Sequence, residues 1–149
     1  MMDATPWLPE AATPVTLAEL VAYGESIGRA IRPPHVLAIA GDLGAGKTTL
    51  VQAICRGYGV SEEVTSPTFA LVHQYRAPRS PVFHLDLYRL RGESELTNLA
   101  WDDIVNERAL VLVEWPERAG SSLPGSATRV QLQHDPRDPS VRLLTVGAA

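Results

Sequence analysis

The 149-residue sequence has one cysteine, few aromatic residues and no excess of positive charge. Cys55 has no partner for an internal disulfide or a multi-cysteine zinc site, so a reducing compartment is expected. Lys and Arg number 13 against 17 Asp and Glu, and a net charge of -4 disfavours a free-standing nucleic-acid-binding protein. The first residues lack the pattern of a secretory signal, and no apolar run approaches the ~20 residues of a membrane span. We therefore expect a cytoplasmic protein that does not enter the membrane.

A chain of this length fits one domain. Residues 1–15 are rich in proline and predict a loose N-terminal segment, while residues 16–149 predict a single domain. Four arginines could form a local basic patch, but we favour solvated loop side chains for Arg76, Arg79, Arg89 and Arg91.

Apolar periodicity predicts alternating helices and strands. Thr16-Leu17-Ala18-Glu19 is a capping box that opens a helix, and Pro33-Pro34 stops this helix. The apolar runs His35–Ala40 and Ala109–Val113 predict buried strands. Other segments predict a helix from Lys47 that ends at Gly57 and Gly59, strands near 69–75 and 82–88, one or two helices in 91–107, and an antiparallel pair at 128–134 and 141–146.

The strongest motif is the loop Gly41–Thr48, which fits G-x-x-x-x-G-K-[ST] at every fixed position. Its glycines let backbone N–H groups approach phosphate oxygens, and Lys47 reaches the β- and γ-phosphates. The Thr48 hydroxyl is placed to ligate Mg²⁺. A chance match would lack the buried strand before the loop and the amphipathic helix after it. We predict that a nucleoside triphosphate binds here, at a solvent-facing junction, through Asp42, Leu43, Gly44, Ala45, Gly46, Lys47, Thr48 and Thr49.

A P-loop also needs a carboxylate that organises the metal, at the end of a neighbouring apolar strand. Glu114 follows such a strand, and Asp86 is a second candidate. One could ligate the metal while the other orders water. The alternative for either residue is a structural ion pair with Arg89 or Arg118.

The remaining reactive residue types give weaker signals. Thr68, within Ser66–Phe69, could sense the γ-phosphate as switch segments do, or the segment could be an ordinary Ser-Pro turn. Cys55 lies on an apolar helix face, where packing is the favoured role. Ordinary core or surface positions are also favoured for His35, His73, His84 and His134, which lack metal-ligand spacing.

Four motifs in combination resemble one family. In chain order they are GDLGAGKTT at Gly41–Thr49, SPTF at Ser66–Phe69, HLDLYRL at His84–Leu90 and EWPE at Glu114–Glu117. This combination resembles the bacterial TsaE family, also called YjeE-type ATPases. The resemblance implies an α/β P-loop NTPase fold with a mixed sheet flanked by helices.

The resemblance also implies a role. It implies an ATPase that binds a threonylcarbamoyl transferase subunit and its inactive paralogue and supports their turnover in tRNA modification. Contact with tRNA would be indirect or weak, in line with the net charge. The implied site has Thr48 and Glu114 on Mg²⁺, Asp86 supporting hydrolysis, Thr68 as the switch threonine, and Trp115 and Glu117 at the edge of the nucleotide site. Candidate catalytic residues are thus Lys47, Thr68, Asp86 and Glu114.

Other nucleotide-dependent functions fit the sequence less well. A GTPase would need an Asn-Lys-x-Asp motif and an ABC-type ATPase a Leu-Ser-Gly-Gly-Gln signature, and neither occurs. The second candidate is a small-metabolite kinase, in which arginines between Arg76 and Arg91 would clamp an acceptor. Little chain remains for an acceptor pocket and a lid. A nucleotide-gated interaction module is a third class and overlaps with the role that the resemblance implies.

Overall fold

The fold is a mixed sheet with a parallel centre and antiparallel margins. The computed structural model describes residues 11–65 and 71–148. Over these residues the strands are β1 (Thr13–Thr16), β2 (His35–Gly41), β3 (Val72–Tyr75), β4 (Val82–Asp86), β5 (Leu110–Glu114), β6 (Thr128–Asp135) and β7 (Asp138–Ala148). The α-helices are α1 (Leu17–Ala30), α2 (Lys47–Tyr58) and α3 (Trp101–Val105), with 3₁₀ segments at Glu93–Leu99 and Pro116–Ser122.

The sheet order is β1-β7-β6-β2-β5-β4-β3 across the described residues. Strand β2 pairs in parallel with β5 and β6, and β4 pairs in parallel with β5. Successive residues of β2 point to opposite faces: Leu37 and Ile39 pack under α1 and α2, while Val36 and Ala38 pack under α3 and the 3₁₀ segments. Helical segments thus cover both faces, and the predicted α/β fold with a mixed sheet is confirmed.

Most predicted elements are present, with changes at their ends. The Thr16–Glu19 capping box is formed, with both reciprocal hydrogen bonds. Gly57 lies inside α2, and only Gly59 ends this helix. Residues 13–15, expected to be loose, pair with β7 at the edge of the sheet, while residues 1–10 lie outside the described residues. The segment 91–107 is a 3₁₀ turn followed by the short α3, because Ala100 adopts a left-handed backbone between them.

One of the four neighbouring arginines, Arg79, is exposed as expected but also has structural partners. The Arg79 guanidinium donates to the backbone oxygens of Gly28, Arg29 and Ile31 at 2.7–2.9 Å. It also lies over the ring of Tyr58. The last carbonyls of a helix have no intrahelical partner, so Arg79 caps the end of α1. This contact joins segments about 50 residues apart in the sequence.

Helices α1 and α2 cross closely because glycines stand at their contact. A Cβ atom added to Gly28 would lie 2.1 Å from the oxygen of Ile54 and 2.7 Å from the nitrogen of Tyr58. We therefore expect Gly28→Ala to lower the free energy of unfolding by about 1–3 kcal/mol, the usual cost of overpacking. Urea denaturation measures the change. Gly147→Ala is the matched control, since a Cβ there meets no described atom within 4 Å; equal stability of the two variants would contradict the prediction.

Candidate functional site

The glycine-rich loop joins the central strand β2 to helix α2. Gly46 precedes α2 with φ 105°, a backbone conformation that favours glycine. A Cβ atom at Gly41 would lie 2.4 Å from the oxygen of Leu132, so the loop needs glycine there for space. The first turn of α2 therefore begins directly under the loop, in the geometry in which helix N-termini bind phosphate groups.

Lys47 is buried, although a solvent-facing loop–helix junction was expected at this position. Its ammonium group donates to the oxygens of Gly41 at 2.6 Å and Asp42 at 2.8 Å. It also lies 4.4 Å from the ring centroid of Trp115, a cation–π contact. Burial lowers the pKa of Lys47, and the nearby carboxylates of Glu114, Asp86, Glu117 and Asp42 oppose this effect. The ammonium is thus held at the wall of the site by the loop itself.

The two candidate carboxylates lie side by side. Asp86 ends β4 and Glu114 ends β5, and the two are register partners in this parallel pair. Both strands end at the edge of the sheet where β2 enters the loop, because Glu114 is also the partner of Ile39 in β2. Burial is the main cause that raises the pKa of Asp86, and the charge of Glu114 adds to it, while the N–H of Tyr88 favours the ionised form.

Sequence reasoning missed the partner of Glu114. His84, assigned an ordinary structural role, lies on β4 with its Nε2 atom 2.6 Å from Oε2 of Glu114, and both side chains are buried. The Nδ1 atom of His84 is buried without a hydrogen-bond partner among the described atoms. Arg118, one of the two expected alternative partners, instead donates to the oxygen of Leu90. The spacing of His84 two residues before Asp86 is the signal in the sequence, because both side chains then share one face of a strand.

Lys47, Asp86 and Glu114 line one cavity of about 320 Å³. Its described lining residues are Leu43, Gly44, Gly46, Lys47, Thr48, Thr49, Asp86, Tyr88, Glu114 and Trp115. Tyr88 was not predicted; its ring contacts that of Trp115 at 4.9 Å between centroids. Trp115 has φ 57° and ψ 52°, a strained conformation for a bulky residue and one found most often at functional sites.

Three predicted residues do not line this cavity. Ala45 is buried within the loop, while Asp42 and Glu117 are exposed and act on Lys47 through their charge. Thr68 and the Ser66–Phe69 segment lie outside the described residues, so the switch remains a prediction. Arg89, the other arginine named as a possible partner of the carboxylates, has an exposed side chain.

The sheet and the loop together define an α/β protein with the fold of P-loop NTPases. Within the described part of the chain, no helix has both the length and the apolar content to cross a membrane. The family model "Threonylcarbamoyl adenosine biosynthesis protein TsaE" matches residues 15–142. The chain therefore belongs to the TsaE family.

Curated relatives agree with this assignment, and a solved structure shares the fold. Proteins named tRNA threonylcarbamoyladenosine biosynthesis protein TsaE from Nostoc sp., Bacillus subtilis and Treponema pallidum are 41%, 35% and 33% identical to the chain. These alignments cover 64%, 68% and 74% of this chain and 60%, 63% and 82% of the relatives. The matched region thus spans less than two thirds of the Nostoc and Bacillus proteins. The crystal structure of Bacillus subtilis YdiB superposes with a TM-score of 0.72 at 23% identity, over 95% of this chain and 90% of that one.

Proposed function

We propose that this protein is a Mg²⁺-dependent ATP hydrolase. The supporting observation is that Lys47, Thr48 and two carboxylates meet at one cavity beside the glycine-rich loop. The loop amides and Lys47 would hold the triphosphate, since phosphoryl transfer depends on positioning and on stabilisation of negative charge. Asp86, half-buried at the same wall, would order the attacking water.

The residues present suit magnesium bound together with nucleotide. Among the described residues, no group of three or more His, Cys, Asp or Glu side chains is arranged to hold a metal ion. Mg²⁺ is usually held by one or two protein oxygens together with substrate phosphates and water. In our proposal the Thr48 hydroxyl and the Glu114 carboxylate supply the protein oxygens, and the metal would supply charge stabilisation at the β- and γ-phosphates.

We further propose a role in the synthesis of threonylcarbamoyladenosine in tRNA. The name of the family supports this role. In this proposal the partners are the threonylcarbamoyl transferase subunit and its inactive paralogue, and ATP turnover by this chain supports repeated cycles of their reaction. The net charge of -4 favours contact with these proteins over direct contact with tRNA.

The arginines weigh against the kinase alternative. An acceptor clamp would use free guanidinium groups between Arg76 and Arg91, but Arg79 is engaged with the end of α1. Arg118, outside that range, is engaged with the oxygen of Leu90. Arg79 also lies over Tyr58, at the opposite end of α2 from the glycine-rich loop, and both arginines already have structural partners.

Phosphate release tests the proposed function. We expect slow steady-state hydrolysis of ATP by the chain alone and a marked rise when the transferase complex is added, because P-loop hydrolysis often needs an arginine supplied in trans, worth about 10³–10⁵-fold in rate. Ordering of the Ser66–Phe69 segment by the partner would also raise the rate. Removing single partner arginines distinguishes the two routes.

The controls decide between the candidate functions. Lys47→Ala in the same assay reports contaminating ATPase activity. A fast rate that the partner complex leaves unchanged would contradict the proposed role, and phosphate transfer to a small metabolite would favour the kinase.

A further inference from the structure

The C-terminal hairpin holds the outer side of the glycine-rich loop. Arg142 of β7 donates from Nε to the oxygen of Ala45 at 3.2 Å and from Nη2 to the oxygen of Gly44 at 3.3 Å. Its Nη1 donates to the oxygens of Pro139 at 2.9 Å and Val141 at 3.3 Å within the hairpin. One guanidinium therefore ties the end of the hairpin to two consecutive loop carbonyls.

A second residue of the hairpin extends this contact. His134 of β6 is the cross-strand partner of Arg142. Its Nε2 atom lies 3.4 Å from the oxygen of Leu43. Three consecutive carbonyls, those of residues 43 to 45, thus face the same pair of side chains on the hairpin.

This contact fixes the direction of the loop amides. In a planar trans peptide the carbonyl of one residue and the N–H of the next point to opposite sides. When the carbonyls of Gly44 and Ala45 point to the hairpin, the N–H groups of Ala45 and Gly46 point away from it. Gly44 and Gly46 line the cavity whereas Arg142 does not, so the side opposite the hairpin is the cavity side. The Ala45 N–H bonds to the oxygen of Asp42 and closes the turn, which leaves the Gly46 N–H directed at the cavity.

The loop needs an external holder because its glycines offer little resistance to peptide rotation. Gly44 has φ 76° and Gly46 has φ 105°, and glycine adopts positive and negative φ about equally readily. A rotated peptide would present a carbonyl oxygen to the phosphates in place of an N–H, and this would repel them. Arginine suits the task because its planar fork donates in fixed directions, whereas a lysine is a single point charge.

We propose that Arg142 is a positioning residue for nucleotide binding, which acts by holding the Gly44 and Ala45 carbonyls outward. The inference rests on the proposed function, since it presupposes that the loop binds ATP and ADP. Because the amides of a P-loop contact the phosphates shared by the two nucleotides, the effect must be equal for ATP and ADP.

The test compares Arg142→Ala, Arg142→Lys and the wild-type chain by calorimetric titration with ADP and with ATP. We expect Arg142→Ala to weaken both nucleotides by about tenfold, or about 1.4 kcal/mol, and Arg142→Lys to remain severalfold weaker than wild type despite its charge. Arg129→Ala is the matched control; it removes a charge from an exposed position on the same hairpin and is expected to bind like wild type. Hydrogen exchange of the free protein is expected to be faster at the loop amides in both Arg142 variants. Thermal unfolding identifies any variant that fails to fold. If Arg142→Ala fails to fold, the nucleotide affinity of Arg142→Lys and its hydrogen exchange at the loop amides decide the test.

Each other outcome overturns the inference. Unchanged nucleotide affinity with lower thermal stability would make Arg142 a structural tie only. A loss of affinity for ATP but not for ADP in Arg142→Ala, with affinity restored in Arg142→Lys, would indicate a direct charge contact with the γ-phosphate. If the wild-type chain bound neither nucleotide, the proposed function would fail and the inference with it.

Discussion

Replacing Lys47 by alanine is expected to weaken ATP binding by about 100-fold, since charge-assisted hydrogen bonds to phosphate contribute about 1.5–3 kcal/mol each. The ammonium already lies at the cavity wall, held by the oxygens of Gly41 and Asp42. Little side-chain entropy therefore remains to be lost when phosphate binds. Titration of a fluorescent ATP analogue into both proteins measures the difference.

The control must separate lost binding from a damaged loop. Lys47 supports the loop backbone and contacts Trp115, so its removal is expected to lower the thermal midpoint as well. Arg56→Ala removes a positive charge from an exposed position of the same helix, where it pairs with Glu25, and should leave ATP affinity unchanged. Equal affinity of the wild type and Lys47→Ala would contradict the assigned role of the lysine.

The sheet and its helices could largely be predicted because local patterns determine them. The run His35–Ala40 is apolar throughout, as expected of a strand that is covered on both faces, and it forms most of β2. The capping box at Thr16 begins α1, and a glycine with φ 102° ends α2 at position 59. Such signals lie within a few residues of the boundary that they set, so they can be interpreted without the tertiary structure.

Features that depend on distant contacts could not be predicted. The edge strand β1 forms because Thr13–Thr16 finds β7 at the other end of the chain. Nothing local distinguishes this segment from a loose proline-rich tail. The left-handed Ala100, which divides the segment 91–107 into two short turns, is likewise atypical of an alanine.

The same dependence on distant contacts limits how much of the candidate site could be predicted from the sequence. The glycine-rich loop and its lysine are contiguous and could be recognised at once, and the two carboxylates followed from apolar strands that end in an acid. His84 gains its role from Glu114, 30 residues further along the chain. Arg142 lies 97 residues from Ala45. These two contacts join residues that are far apart in the sequence, so only the fold identifies them.

Glu114→Gln is expected to slow ATP hydrolysis by on the order of 10²-fold or more, as does the loss of one preorganised electrostatic group in other active sites. Glutamine has nearly the same shape, so it fits the buried end of β5, and its amide oxygen can still accept a hydrogen bond from His84. The triphosphate remains held by the loop and Lys47, so ATP affinity should change by only a few-fold. Single-turnover hydrolysis at increasing Mg²⁺ measures the effect, and we expect a higher Mg²⁺ requirement.

The alternative role of Glu114 as half of a structural pair is distinguished by comparing hydrolysis with stability. If the carboxylate served only to pair with His84, then Glu114→Gln and His84→Ala would both lower the thermal midpoint and leave the rate per folded molecule unchanged. If it serves the metal, His84→Ala acts through the orientation of the carboxylate and should cost about 10–100-fold in Mg²⁺ affinity or rate, the usual effect of removing a partner of a metal ligand. Glu107→Gln, an equal charge change at an exposed position before β5, should change neither quantity. A strong loss in Asp86→Asn with none in Glu114→Gln would instead exchange the roles of the two carboxylates, because they are register partners at one edge of the sheet.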